Sequence, residues 1–192
     1  MTAPIWLNLA CGTDVRDPPW VNLDVVEKWP LARKACDVIW DARTDGLPYP
    51  DGSVDGIYAG YLLLHLGPQH HERVLRDMHR VLRRGGGLLI GEVDMPEVMR
   101  RWLAEPQDLY LSGLIWGEQG NLPPCDSCFT RGSQCESCRA QAALADFDKH
   151  CQGFSEASLR RLLLRAGFDG RTERTKIHGP GVWYELTLQT IK

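Results

Sequence analysis

The chain is 192 residues long, 43% hydrophobic and 24% charged. That is the balance of one folded domain with its own core, not of a disordered segment. A formal net charge of -3 gives no global basic field for nucleic acid or an anionic membrane. The opening MTAPIWLNLACG has no basic n-region and no long apolar run, so neither a secretory signal nor a membrane span is expected, and the cytosol is the expected location.

In chain order, IWLNL at 5–9 is a short apolar run that breaks at Ala10-Cys11-Gly12, as a buried strand entering a tight turn does. VNLDVV at 21–26 is a second strand, with Asp24 late in it. Asp17-Pro18-Pro19 forbids a regular helix across its own positions, so the first link is mostly loop. ACDVIWD at 35–41 is a third strand ending in Asp41, and VDGIYAG at 54–60 a fourth. Val74, Leu75, Met78, Val81 and Leu82 recur at helical spacing over about 69–83, and Gly85-Gly86-Gly87 stops that helix. His70 and His71 fall at its exposed start and are expected at the surface. GLLIGEV at 87–93 is apolar on both faces, which predicts a central parallel strand. A helix over 96–104 follows.

Residues 106–152 are rich in Gly, Pro, Cys and aromatics. Ser155 opens a last helix with a loose form of capping box, and Gly167 closes it. FDGRTERTKIHG and GVWYELTLQTI then predict an antiparallel pair turning at Gly-Pro-Gly. The sum is a single α/β domain over 1–192, a mainly parallel sheet with an antiparallel C-terminal strand. Ligands of such sheets bind beyond the carboxyl ends of the strands.

Four stretches in order carry a resemblance: LNLACG, VNLDV, LPYPDGSVDGIYAGYLLLHL, and HRVLRRGGGLLIGEV with the later GFSEASLRRLLLRAGF. With them the chain resembles the minimal, type 11-like members of the class I S-adenosylmethionine-dependent methyltransferases, over about residues 5–118 and 147–190. The resemblance implies a Rossmann-like fold and S-adenosylmethionine as cofactor. It implies a cofactor site of Asn8, Ala10, Cys11, Gly12, Asp24, Val25, Asp41, Ala42, Ala59 and Gly60. There Gly12 admits the cofactor's amino-acid end, since it has no side chain. Asp24 accepts from the ribose hydroxyls, Asp41 and the Ala42 amide meet the adenine, and Ala59 and Gly60 leave room beside the sulfonium. The chain departs from the family's G-x-G-x-G, which reads Ala10-Cys11-Gly12-Thr13-Asp14 here. No helix precedes its first strand.

Methyl transfer is an in-line displacement, so the protein mainly aligns the acceptor and excludes water. A base is needed only when the acceptor must lose a proton. His150, in DFDKHCQGF, resembles the family's histidine before the last helix and is the candidate base or orienting group. Tyr61 and His65 follow the fourth strand, His65 being either catalytic or a packed histidine. Trp116 and Gly117 resemble the substrate-side loop. Glu92 and Asp94 end the fifth strand, where either could meet an acceptor or cap the next helix. The acceptor expected is a small molecule or biosynthetic intermediate. The arginines of the 69–83 helix read first as a solvated face and second as a nucleic-acid surface.

Cys125, Cys128, Cys135 and Cys138 are spaced C-x2-C-x6-C-x2-C. Two C-x-x-C turns suit a closed four-thiolate site, the setting of structural zinc. Iron shares that geometry, and disulfides would need an oxidising compartment. A small metal-binding insertion over 119–142 is therefore expected, stapling a lid on the acceptor side rather than doing chemistry. Two rival readings stay open: a catalytically weak binding module recruiting a partner through its zinc insertion, and an RNA- or protein-modifying methyltransferase. A homodimer or a partner protein also stays open.

Overall fold

The computed structural model describes residues 3–28, 32–106, 114–115, 150–168, 171–175 and 185–192. Trp116, Gly117, the four clustered cysteines and the expected 119–142 insertion lie outside the described residues.

Seven strands form one sheet: β1 (Trp6–Leu9), β2 (Trp20–Asp24), β3 (Val38–Ile39), β4 (Val54–Gly60), β5 (Leu82–Val93), β6 (Glu173–Thr175) and β7 (Glu185–Ile191). Their order across the sheet is β3-β2-β1-β4-β5-β7-β6. β1 through β5 pair in parallel, and β7 runs antiparallel to both β5 and β6. Helices among the described residues include α1 (Pro68–Val81), α2 (Met95–Ala104) and α3 (Glu156–Ala166).

Strand alternation sorts the sheet into two faces. Leu7, Leu9, Leu23, Ile57, Ala59, Leu88, Ile90 and Leu188 are buried in one core with Val74, Leu75 and Met78 of α1 and Leu159 and Leu163 of α3. Trp6, Asn8, Trp20, Asn22 and Tyr58 alternate with them toward the opposite face. There the Arg16 guanidinium lies between two rings, 4.7 Å from Trp20 and 4.0 Å from Tyr58. Trp6 packs against Trp20 with centroids 5.5 Å apart.

Among the described residues, the connections β1–β2, β2–β3 and β3–β4 contain no helix. Side chains do the linking instead. The Asn8 amide donates to the Asp14 carbonyl (2.7 Å) and to Asn22 Oδ1 (3.0 Å), and Asn22 Nδ2 donates to Asp37 (2.6 Å). Asp37 also accepts from the Asn22 backbone, and β3 is only two residues long where seven were expected.

α1 starts at Pro68 and stops at Val81, because Leu82 is already extended and pairs with Val54. β5 is thus longer than the expected 87–93. The α1 arginines are engaged: Arg80 binds Asp77, Asp51 and the carbonyls of Tyr49 and Leu47, and Arg73 binds the carbonyls of Ala42 and Asp45. They tie the β3–β4 loop to the helix, so they do not stand as a bare cationic surface. α3 has the expected cap in full, Ser155 and Ser158 each accepting from the other's backbone amide, with Gly167 as its left-handed stop. Among the described residues no helix is long and apolar enough to cross a membrane.

Candidate functional site

A cavity of about 450 Å³ opens at the carboxyl ends of β1, β2 and β4, a size typical of small-molecule sites. Asn8, Ala10, Cys11, Gly12, Asp24, Val25, Asp41, Ala42, Gly60, Tyr61 and His65 all line it. Ala59, expected beside the sulfonium, is fully buried on the helix-covered face and is not in the lining. Thr13, Asp14, Trp40, Arg43, Tyr58, Leu62 and Leu66 complete the wall; sequence reading does not single out Trp40, Arg43, Tyr58, Leu62 or Leu66.

The β1 turn is held open by backbone geometry. Ala10 and Gly12 have φ of 50° and 52°, a conformation that costs a residue with a Cβ about 1–2 kcal/mol. Gly12 donates its amide to Asp24 Oδ2 at 2.8 Å, and Val26 donates to Asp24 Oδ1 at 3.1 Å. The Asp24 carboxylate therefore ties the turn after β1 to the end of β2. Each oxygen has a second lone pair that can accept from a ligand hydroxyl. Cys11 faces the same cavity, and burial, reinforced by the Asp24 charge, pushes its thiol up to about 12. Asp41 is forked by Arg43 at 2.7–3.1 Å, which holds its carboxyl below the usual range.

Two of the three buried side-chain polar atoms without a partner, among the described residues, are Asn8 Oδ1 and Trp40 Nε1. Both residues line the cavity. One acceptor and one donor left unmet in a pocket wall are the mark of a site built for a polar ligand. The residues present thus fit the nucleoside and amino-acid parts of S-adenosylmethionine.

The other wall is the loop after β4. Tyr61 sits at φ 56° and donates its amide to the Gly91 carbonyl at 2.7 Å. Gly60 has no room for a side chain, since a Cβ there would lie 2.4 Å from the Tyr58 hydroxyl. A 3-10 turn, Leu63–His65, follows. The His65 ring meets the His150 ring edge-on with centroids 5.1 Å apart. His150 Nδ1 lies 2.9 Å from the Leu114 carbonyl. Tyr61 and His65 line the cavity, and His65 is in contact with His150 from a distant part of the sequence.

Glu92 and Asp94 take separate places. Glu92 is wholly buried, accepts from the Leu63 and Leu64 amides at 2.8 and 3.2 Å, and is pushed up to about 8 by burial. Asp94 pairs with Arg174 at 2.9 Å. His71, expected at the surface, is 1% exposed: its Nε2 lies 2.9 and 3.0 Å from the Leu63 and Leu66 carbonyls, and its ring packs on Phe154. It points inward because α1 begins against that turn and not in solvent. Burial lowers its pKa below the ordinary histidine value. Among the described residues no group of three or more His, Cys, Asp and Glu could hold a metal ion.

Residues 11–90, under half of the chain, match the family model for a methyltransferase domain. No curated protein matches the sequence. Solved structures match along its whole length. A SAM-dependent methyltransferase from Thermotoga maritima is 16% identical with a TM-score of 0.57, covering 100% of this chain and 83% of its own. One from Archaeoglobus fulgidus is 12% identical with a TM-score of 0.58, covering 98% and 86%. A complex of the Haloferax volcanii Trm112 methyltransferase activator with a methyltransferase gives 15% identity and a TM-score of 0.52, covering 98% and 82%. Residues 11–90 are similar to a methyltransferase domain, and the seven-stranded mixed sheet of the described residues has the Rossmann-like fold of these solved methyltransferases.

Proposed function

We propose that this methyltransferase modifies a small molecule or biosynthetic intermediate brought to the mouth of the β1–β2–β4 cavity, with His150 as the acceptor-side base. The observation that supports it is the ring contact of His150 with His65, which lines the cavity together with Tyr61 and Asp24. S-adenosylmethionine supplies an electrophilic methyl group on a sulfonium, whose sulfur keeps the bonding pair on transfer. The chain's own residues do the remainder. Gly12 and Asn8 receive the amino-acid end, Asp24 accepts from the ribose, and the Ala42 amide beside the Asp41–Arg43 pair faces the adenine. Gly60 and Tyr61 shape the wall where the acceptor approaches. His150, oriented through Nδ1 and the Leu114 carbonyl, takes the proton from an acceptor hydroxyl, amine or thiol as the new bond to carbon forms.

Trp116 and Gly117 form the acceptor-side loop in this reading. Cys125, Cys128, Cys135 and Cys138 hold one structural zinc within 119–142, ordering a segment over that side. The paired α1 arginines argue against a nucleic-acid acceptor, and the cytosol suits thiolates kept for metal.

Calorimetry with S-adenosylmethionine on zinc-loaded protein tests the core of this; no detectable binding ends it. A screen of metabolite pools for S-adenosylhomocysteine release then finds the acceptor class, and release driven only by protein or RNA fractions would overturn the small-molecule assignment. Metal analysis of the purified protein should give about one zinc per chain. Four reactive thiols in the cluster and no metal would defeat the staple.

A further inference from the structure

Inside the fold, Glu92 has no role in the reading just given, yet it is 0% exposed on a strand whose inward neighbour, Ile90, is aliphatic. An apolar residue would fill that position without the desolvation a carboxyl suffers there. What the carboxyl meets is specific. Its two oxygens take the Leu63 and Leu64 amides, the first of the 3-10 turn after β4. Those amides are buried with residues 0% and 2% exposed and have no helical partner of their own. From α1, the His71 ring reaches the turn's carbonyls at Leu63 and Leu66. From the segment before α3, the Cys151 amide donates to the Leu64 carbonyl at 2.6 Å, and Phe154 bridges back to Asp94 and Met95, two and three residues beyond Glu92. One turn is thus gripped by β5, by α1 and by the strand-like segment that carries His150.

We propose that Glu92 is a positioning residue for the acceptor side, its carboxyl group setting the Leu63–His65 turn and, through it, the approach of His65 to His150. It touches neither cofactor nor acceptor. It acts by fixing the turn on which His65 rides and against which the His150 segment docks. A carboxylate can serve both amides at once, while a protonated carboxyl accepts well through only one oxygen. Gaining or losing that proton therefore changes the grip. The titratable groups that this network places beside the turn include His65 on the turn, His71 on α1, His150 and Cys151 on the docking segment, and Asp94, already paired with Arg174, at the β5–α2 junction. Glu92's own shift is set by burial against the two amide bonds.

The inference rests on the acceptor-side assignment of His150 and is separable from it. The full-length, zinc-loaded protein and its Glu92→Gln variant are compared by imidazole nitrogen NMR and by amide exchange. Gln keeps one carbonyl acceptor and turns an NH2 toward the second amide, at unchanged size. Expected at about pH 9, where the carboxyl is ionised, are unaltered S-adenosylmethionine affinity, Leu63 or Leu64 exchange faster in the variant by about tenfold or more, and joint shifts of the His65 and His150 ring signals. In the wild type those two rings should show a common transition between pH 6 and 9 that the variant lacks. Ring signals and pH response identical in the two proteins would overturn the proposal. Should Glu92→Gln not fold, the wild-type titration stands alone: rings that titrate independently, with no shared transition, overturn it equally. Absence of S-adenosylmethionine binding by the wild type would instead defeat the functional reading and leave the clamp intact.

Discussion

The two walls of the cavity are built on different principles. The wall proposed to hold the cofactor, Ala10 to Arg43, consists of loops, backbone amides and side-chain hydrogen bonds around Asp24. The wall proposed to face the acceptor, Tyr61 to Leu66, is a turn clamped from three sides into the helix-covered core. One wall is specified by polar atoms that a ligand can share. The other is specified by buried groups that a ligand never sees. Damage to the first should therefore appear in binding and damage to the second in turnover.

The largest test of this division is His150→Ala. It should lower turnover by about 10²–10⁴-fold, the usual contribution of a general base, while calorimetric affinity for S-adenosylmethionine holds; a matching loss of affinity would erase the distinction between the walls. Asp24→Ala comes next. It removes charge-assisted bonds worth about 1.5–3 kcal/mol each, and cofactor affinity should fall by about 100-fold. An affinity left intact would show that the cavity is not the cofactor site.

Glu92 sharpens the comparison through pH. Its folded pKa, near 8, lies above the ordinary carboxyl value of 4.5. The native state therefore holds the proton more tightly than the unfolded chain. The associated stability is present below about pH 4.5 and drains away as pH rises toward 8. Relative to Glu92→Gln, the wild type should lose on the order of 1 kcal/mol per pH unit across that window, read as a widening gap in melting temperature. A constant gap between pH 5 and 8 would contradict the assignment. The smallest effect is on the opposite sheet face, where Arg16→Ala gives up the contacts with Trp20 and Tyr58 for about 1 kcal/mol of stability. A larger loss, with weaker cofactor binding, would mean that this face supports the first wall more than its exposure suggests.

Much of the frame was legible because local chemistry declares it. The break after LNL, the Ser155 cap and the Gly167 stop each fall where residue type alone puts them. The cavity wall from Ala10 to Arg43 was nearly as legible, since its residues sit at strand ends. Ala59 is instructive: Tyr58 and Gly60 point to one face of β4, so alternation sends Ala59 to the other, and a motif match by itself does not carry that parity. The acceptor wall was hidden for a different reason. Glu92 reaches amides 28 and 29 residues upstream, and His71 reaches back to a turn that precedes its own helix. Such partners are chosen by tertiary packing. No local pattern around GEVD or QHHER distinguishes a buried clamp from a surface charge.

One consequence concerns Cys11, which lines the pocket proposed to hold an alkylating cofactor. A sulfonium methyl donor attacks thiolates readily, and an enzyme with an ionised cysteine at this point would consume its own cofactor and poison itself. With its pKa raised to about 12, Cys11 is ionised to only about one part in 10⁵ at neutral pH. Burial first, and the neighbouring Asp24 charge second, thus keep this thiol protonated. The carboxylate that tethers the β1 turn also keeps the turn's own nucleophile switched off.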